Sequence, residues 1–165
     1  MPERETIERA RRDARKGKAP STQAGEFVRE EMDHIREGKH GAASPQQAIA
    51  IGLSKARRAG VKLPPPRRGS SERVREQAAR DTAKGRSAKT ATSPSRSRGS
   101  MKGLRKQGSS AASHPALSRF AKGAARRRGA ADRHRAGMAA VKTKGRAGLR
   151  RAARKAAKTR SRHRS

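Results

Sequence analysis

Ser44-Pro45-Gln46-Gln47-Ala48-Ile49-Ala50-Ile51-Gly52-Leu53-Ser54-Lys55-Ala56-Arg57-Arg58-Ala59-Gly60 marks the chain as helical, because it spells a helix start, an apolar face and a helix stop in that order. Ser44 is the cap, Pro45 takes the first position where a missing N–H costs nothing, and Gln47 completes a capping box. Ile49, Gly52, Leu53 and Ala56 recur at helical spacing until Gly60 ends the run.

Upstream, residues 21–37 place Ala24, Phe27, Val28, Met32 and Ile35 on one face, begin at Ser21 or Thr22 and stop at Gly38. Residues 3–16 form a thinner stripe of Ile7, Ala10 and Ala14, with Glu3, Glu5 and Glu8 at the start, Arg15 and Lys16 at the end and Gly17 as the stop. Residues 1–63 are thus expected to be a small helical head of three short helices, with Val61 and Leu63 packing back and Pro64-Pro65-Pro66 as a stiff exit.

Charge separates this head from the rest of the chain. The 165 residues include 45 Lys plus Arg against 13 Asp plus Glu, a net charge of +32. Residues 1–63 hold 14 basic and 9 acidic side chains, leaving 31 basic and only 4 acidic beyond them. Residues 64–165 carry eight large apolar side chains, Val74, Met101, Leu104, Leu117, Phe120, Met138, Val141 and Leu149, too few to offset the entropy of ordering the segment. The expected fold class is therefore mostly α: the helical unit, then a long, largely disordered basic tail with transient helices. Residues 64–112 read as a Pro/Ser/Gly-rich basic linker, and residues 113–165 as an Arg/Lys/Ala-rich nucleic-acid-binding tail. Local helices are expected at 71–84 and at 115–128 behind Ser113. At 149–158, Leu149, Ala152, Ala153, Ala156 and Ala157 fall opposite Arg150, Arg151, Arg154, Lys155 and Lys158.

So dense a positive charge points to a polyanion, bound through phosphates with release of counterions. The contacts expected to carry this are Arg126, Arg127, Arg128, Arg133, Arg135, Lys142, Lys144, Arg146, Arg150, Arg151, Arg154, Lys155, Lys158, Arg160 and Arg162, with Lys55, Arg57, Arg58, Arg96 and Arg98 secondary. With Phe27 and Phe120 as the only aromatic side chains, stacking platforms for splayed bases are lacking, so binding should be indifferent to sequence. Ser93-Pro94-Ser95-Arg96 has the Ser-Pro-x-Arg form of a turn that lays a cation in an A/T-rich minor groove, although an ordinary linker is the plainer reading. A helix-turn-helix would carry Gln46, Gln47, Lys55, Arg57 and Arg58 to the major groove, but the linker of about six residues exceeds the usual 3 to 4 and favours a plain hairpin.

Other classes recede. There is no cysteine, hence no disulfide scaffold, thiol nucleophile or Cys-ligated metal. No phosphate loop or nucleophile elbow is present, and Glu30, Glu31, Asp33 and Glu37 read as the polar side of the second helix, so neither an enzyme nor a cofactor is expected. His34 and His40, near Asp33 and Glu37, are the only grouping of metal-binding type, and they read as solvent-exposed histidines rather than ligands. No apolar run approaches the roughly 20 residues that span a bilayer, and the amino terminus lacks an apolar signal core, so a cytoplasmic protein away from membranes is expected.

Phe27-Val28-x-Glu30-x-Met32, Gly38-Lys39-His40-Gly41 and Ser44 through Arg57 resemble a family of small basic bacterial proteins that carry a short domain of unknown function ahead of a Lys/Arg/Ala-rich tail. The tail is similar in composition to linker-histone tails. The charge leads to the expectation of a nucleoid-associated, histone-like accessory protein on duplex DNA; the resemblance agrees with it and brings no catalytic or binding residue. The alternatives are an RNA- or ribosome-associated basic protein, or an adaptor whose head docks on an acidic partner through Phe27, Val28, Met32 and Ile35; weak self-association through the head is also open.

Overall fold

A computed structural model describes residues 2–67, 69–87 and 93–162. Among them the elements are α1 (Arg4–Arg15), α2 (Pro20–Arg36), α3 (Pro45–Arg58), α4 (Glu72–Arg86), α5 (Pro94–Arg105), a 3-10 turn (Ser110–Ala112), α6 (His114–Arg127) and α7 (Gly129–Arg162). They fall into two units, Met1–Ser118 and Arg119–Ser165.

In the first unit, α2 is the central element, packed against α1, α3 and the 3-10 turn. Its Ala24, Phe27 and Ile35 are fully buried. The α3 start matches its sequence signature: the Ser44 hydroxyl accepts from the Gln47 amide at 3.2 Å. Gln47 Oε1 in return accepts from the Ala43 amide at 2.7 Å, one residue before the usual partner. Two small apolar clusters result. Phe27, Ala10, Ala24, Ala56 and Val61 form one, with Ile7, Leu53 and Leu63 at its rim. Met32, Ile35, Ala42, Ala48, Ala111 and Ala112 form the other, bordered by Val28, Ile49 and Leu117.

Gly52 sets the approach of α3 to α2. A Cβ there would stand 2.7 Å from Val28 Cα and 3.0 Å from its amide nitrogen, and backbone cannot swing aside as a side chain can. Alanine in a helix gains about 1 kcal/mol of propensity over glycine, whereas overpacking costs about 1–3 kcal/mol. Gly52→Ala should therefore destabilise the protein by up to about 2 kcal/mol, read as a lowered urea midpoint; a raised midpoint would contradict this packing.

The long disordered tail expected from composition is not what the chain forms, for the described residues after the proline exit include four further α-helices. Small side chains and polar contacts do what the few large side chains were not numerous enough to do. In α4, Ala78 and Asp81 are buried, and Asp81 Oδ1 accepts from Arg58 Nε at 2.7 Å and from Gln77 Nε2 at 3.1 Å while Oδ2 accepts from the Ser54 hydroxyl at 2.6 Å. At the end of α5 and beyond it, Gly41 N donates to Leu104 O at 3.0 Å, Ala42 N to Gly108 O at 3.2 Å and Arg36 Nε to Ala112 O at 3.1 Å. These bonds hold the turn carrying Ala111 and Ala112 against the head. Ser93-Pro94-Ser95-Arg96 is not a groove-lining turn, since Pro94 opens α5 behind Ser93.

The second unit contains the later turns of α6 and all of α7, and neither helix has a buried residue. Ala, Arg and Lys are strong helix formers, so propensity rather than a core sustains these helices, and most of the scattered glycines are accommodated in the helical conformation. The exceptions lie at positive φ, where glycine alone is at ease: Gly129 at 70°, just after α6, and Gly145, whose φ of 64° and ψ of 166° kink α7.

Burial pushes the Asp81 carboxyl up, but the bonds from Ser54, Arg58 and Gln77 outweigh it and hold the group below its ordinary value of 3.8. A lowered folded value means that its contribution is complete above the unfolded value and is lost as pH falls through the folded one. Asp81→Asn should cost about 2 kcal/mol at neutral pH, consistent with hydrogen bonds to a charged group, and should remove part of the acid-induced loss of stability below pH 3.8. Urea titrations of both proteins across that range check both statements.

Candidate functional site

Residues 119–165 hold 18 basic side chains and one acidic one, Asp132. Among the described residues of this unit the one ion pair is Arg135 with Asp132. The remaining described cations have no carboxylate partner.

Helical geometry sorts them into faces. After the kink, Arg150, Arg151, Arg154, Lys155 and Lys158, continued by Arg162, share one exposed face opposite Leu149, Ala152, Ala153, Ala156 and Ala157. From Arg150 to Arg162 this row runs about 18 Å at 1.5 Å per residue, against a phosphate every 3.4 Å or so along a duplex strand. Arg146 and Arg160 fall on the alanine side. Before the kink, Arg135 and Lys142 lie on one side of α7 and Arg133 and Lys144 on the other.

The Arg126-Arg127-Arg128 triplet does not act as one group. Arg126 shares a face of α6 with Arg119 and Lys122, Arg127 is turned about 100° away, and Arg128 lies beyond the helix end. Arg119 and Lys122 were absent from the expected contacts; their spacing of three and seven residues from Arg119 to Lys122 and Arg126 is the signal that reveals them.

The three head cations expected as secondary contacts serve the fold. Lys55 Nζ lies 2.6 Å from Glu31 Oε2 and 3.2 Å from Glu30 Oε1, Arg58 is held by Asp81, and Arg57 Nη2 donates to Pro64 O at 3.3 Å. Gln47 is spent as a cap, which strips the helix-turn-helix alternative of most of its contacts. Arg98 is exposed on α5, whereas the Arg96 side chain, like His163, lies outside the described residues.

A buried ionic cluster stands where the sequence suggested an open polar face. Glu30 and Glu31 are 4 % and 0 % exposed and His40 is 7 % exposed, which corrects both the polar placement of the acids and the solvent-exposed reading of this histidine. His40 Nε2 lies 3.0 Å from Glu31 Oε1, and His34 Nε2 lies 2.9 Å from Glu3 Oε1. The bond to His34, seconded by Lys39, keeps the Glu3 carboxyl below the usual carboxylate range. Asp33 and Glu37, the companions expected for the histidines, instead pair with Arg36 and Lys39. One oxygen of Glu31 and one ring nitrogen each of His34 and His40 all lie within 4.8 Å of one another, a donor set able to hold a metal ion.

Residues 3–67 match the model of a family of unknown function (DUF6496), a span that takes in α1, α2, α3 and the proline exit and ends before α4. No curated protein and no solved structure matches the chain. No helix among the described residues is long and apolar enough to cross a membrane.

Because the side chains of Arg150, Arg151, Arg154, Lys155 and Lys158 are exposed on α7, a helix with no buried residue, replacing all five by Gln should leave the urea midpoint nearly unchanged, within about 0.5 kcal/mol. A larger loss would show that these side chains serve the fold.

Proposed function

We propose that this protein binds duplex DNA through the phosphate backbone, with little regard to base sequence, as an accessory protein of the bacterial nucleoid. The observation that carries the reading is the surplus of 17 cations in residues 119–165, most of them displayed, among the described residues, on helices with no buried residue. A solvated charge run that merely keeps a protein in solution needs no such excess. Neutralising it requires a partner that brings a regular array of anions, and duplex phosphates are such an array.

The row from Arg150 to Arg162 lies along one side of a helix, the arrangement that lets successive cations follow a strand. Positioning by backbone contacts carries no sequence information; residues 119–165 hold no Asn or Gln to read base edges, and Phe120, His134 and His163 are too few and scattered to form a stacking platform. The helices are already formed in the free protein, so less ordering entropy opposes binding than for a disordered tail. In the head, Lys55 and Arg58 are committed to carboxylates.

The test compares the full chain with the variant in which Arg150, Arg151, Arg154, Lys155 and Lys158 are Gln, by fluorescence anisotropy on two duplexes of unrelated sequence. The variant is expected to bind both at least about tenfold more weakly at physiological salt, and its salt slope should fall by about 4 to 5 if each residue contacts one phosphate. Equal affinity of the two proteins would refute the assignment of this face, and a strong preference for one duplex would refute sequence indifference. Preference for a structured RNA at matched salt would move the reading to an RNA-associated protein.

A further inference from the structure

We propose that Glu31, His34 and His40 form a site for a divalent transition-metal ion, zinc by the chemistry of the donors. Two imidazole nitrogens and a carboxylate are the set that zinc accepts with a fourth position left to water or another oxygen. Glu31 and His34, three residues apart, share one side of α2, and His40 is returned to them by the reversal at Gly38, whose φ is 73°.

Three observations converge. Neither carboxylate oxygen of the fully buried Glu31 makes a hydrogen bond: Lys55 and His40 lie within ion-pair distance but out of hydrogen-bond alignment. A buried carboxylate without hydrogen bonds is costly, and a directly coordinated cation removes that cost.

The second observation is the orientation of His40. Its Nδ1 lies 3.2 Å from Gly41 O, a contact that takes the Nδ1 proton. Nε2, 3.0 Å from Glu31 Oε1 but not hydrogen-bonded to it, is then the nitrogen whose lone pair a neutral ring offers to a cation at the carboxylate. A backbone carbonyl on the far nitrogen is the usual support of a metal-bound histidine, and Glu3, bonded to His34 Nε2 at 2.9 Å, gives the second histidine the same support.

Charge balance is the third. Glu30 and Glu31 are buried together and share the single ammonium of Lys55. With a metal ion on Glu31, Lys55 remains paired with Glu30. Tetrahedral ligands at about 2.0–2.1 Å from zinc stand about 3.3 Å apart, so the 4.8 Å limit on the present donors requires only a modest closing of the half-buried His34 ring.

Bound there, the ion would tie α2 to the connection that leads into α3, in a head with few large apolar side chains. Folding and metal binding would then be coupled.

The experiment is calorimetric titration of the metal-stripped full chain with zinc, a parallel titration with cobalt(II) followed by its visible absorption, and thermal unfolding with and without zinc. One equivalent of zinc should bind, tetrahedral cobalt bands should appear, and the melting temperature should rise by at least about 4 °C. His34→Gln and Glu31→Gln should each weaken binding at least about tenfold, whereas a control with His114 and His134 both replaced by Gln should bind as the parent does. In the parent, zinc should shift the imidazole NMR signals of His34 and His40 and leave those of His114 and His134 in place, a readout independent of whether any variant folds. Absence of binding by the parent, or shifts at His114 and His134 alone, overturns the proposal.

Discussion

Pairing of carboxylates with cations is the constraint on which this chain is organised. In the first 63 residues, 9 acids accompany 14 bases, and the structure uses them: Glu30 and Glu31 take Lys55, Glu26 takes Arg9, and Asp13 takes Lys18. Asp81 extends the same device to α4 by taking Arg58. Where acids are available, cations are drawn into the fold. Past residue 118 a single aspartate remains, so the cations stay on the outside of their helices and their field is left for another molecule to neutralise.

This division explains why charge and helix coexist in the second unit. Repulsion among like charges opposes a compact arrangement, but a single helix spaces its side chains around a cylinder and keeps them in water. The α7 sequence is built largely from residues that lose little on becoming helical, and Gly145 breaks it once. The result is a cationic surface made without a core. The matched family ends at residue 67, so the charged helices lie entirely outside the part of the chain that it describes.

Local grammar was legible in the head. Ser44 with Pro45 and Gln47, the stops at Gly17, Gly38 and Gly60, and the packing of Val61 and Leu63 all follow from short-range rules that depend on few neighbours. The order of the later segment was not legible, because a census of large side chains overlooks Ala78, Ala111 and Ala112, which bury completely or nearly so at little entropic cost. Nor did amphipathicity reveal the ionic cluster. Period alone places Glu30 and Glu31 beside Asp33 on a polar stripe, and only the fold brings Lys55 and His40 onto them. The spacing of Glu31 and His34 with a glycine reversal before His40 was the available sign. Among the phosphate contacts, a list of cations could not distinguish Arg160, turned to the alanine side, from Arg154 and Lys158 on the cationic row; the helix phase does.

Whether uncompensated cations on the second unit meet duplex phosphates is decided by the salt dependence with which the full chain binds a duplex. A straight fall of log K with log salt is predicted, with a slope that, at about −0.9 per phosphate neutralised, corresponds to several contacts and is the same for unrelated sequences. A slope near zero, or no binding in dilute buffer, would contradict it.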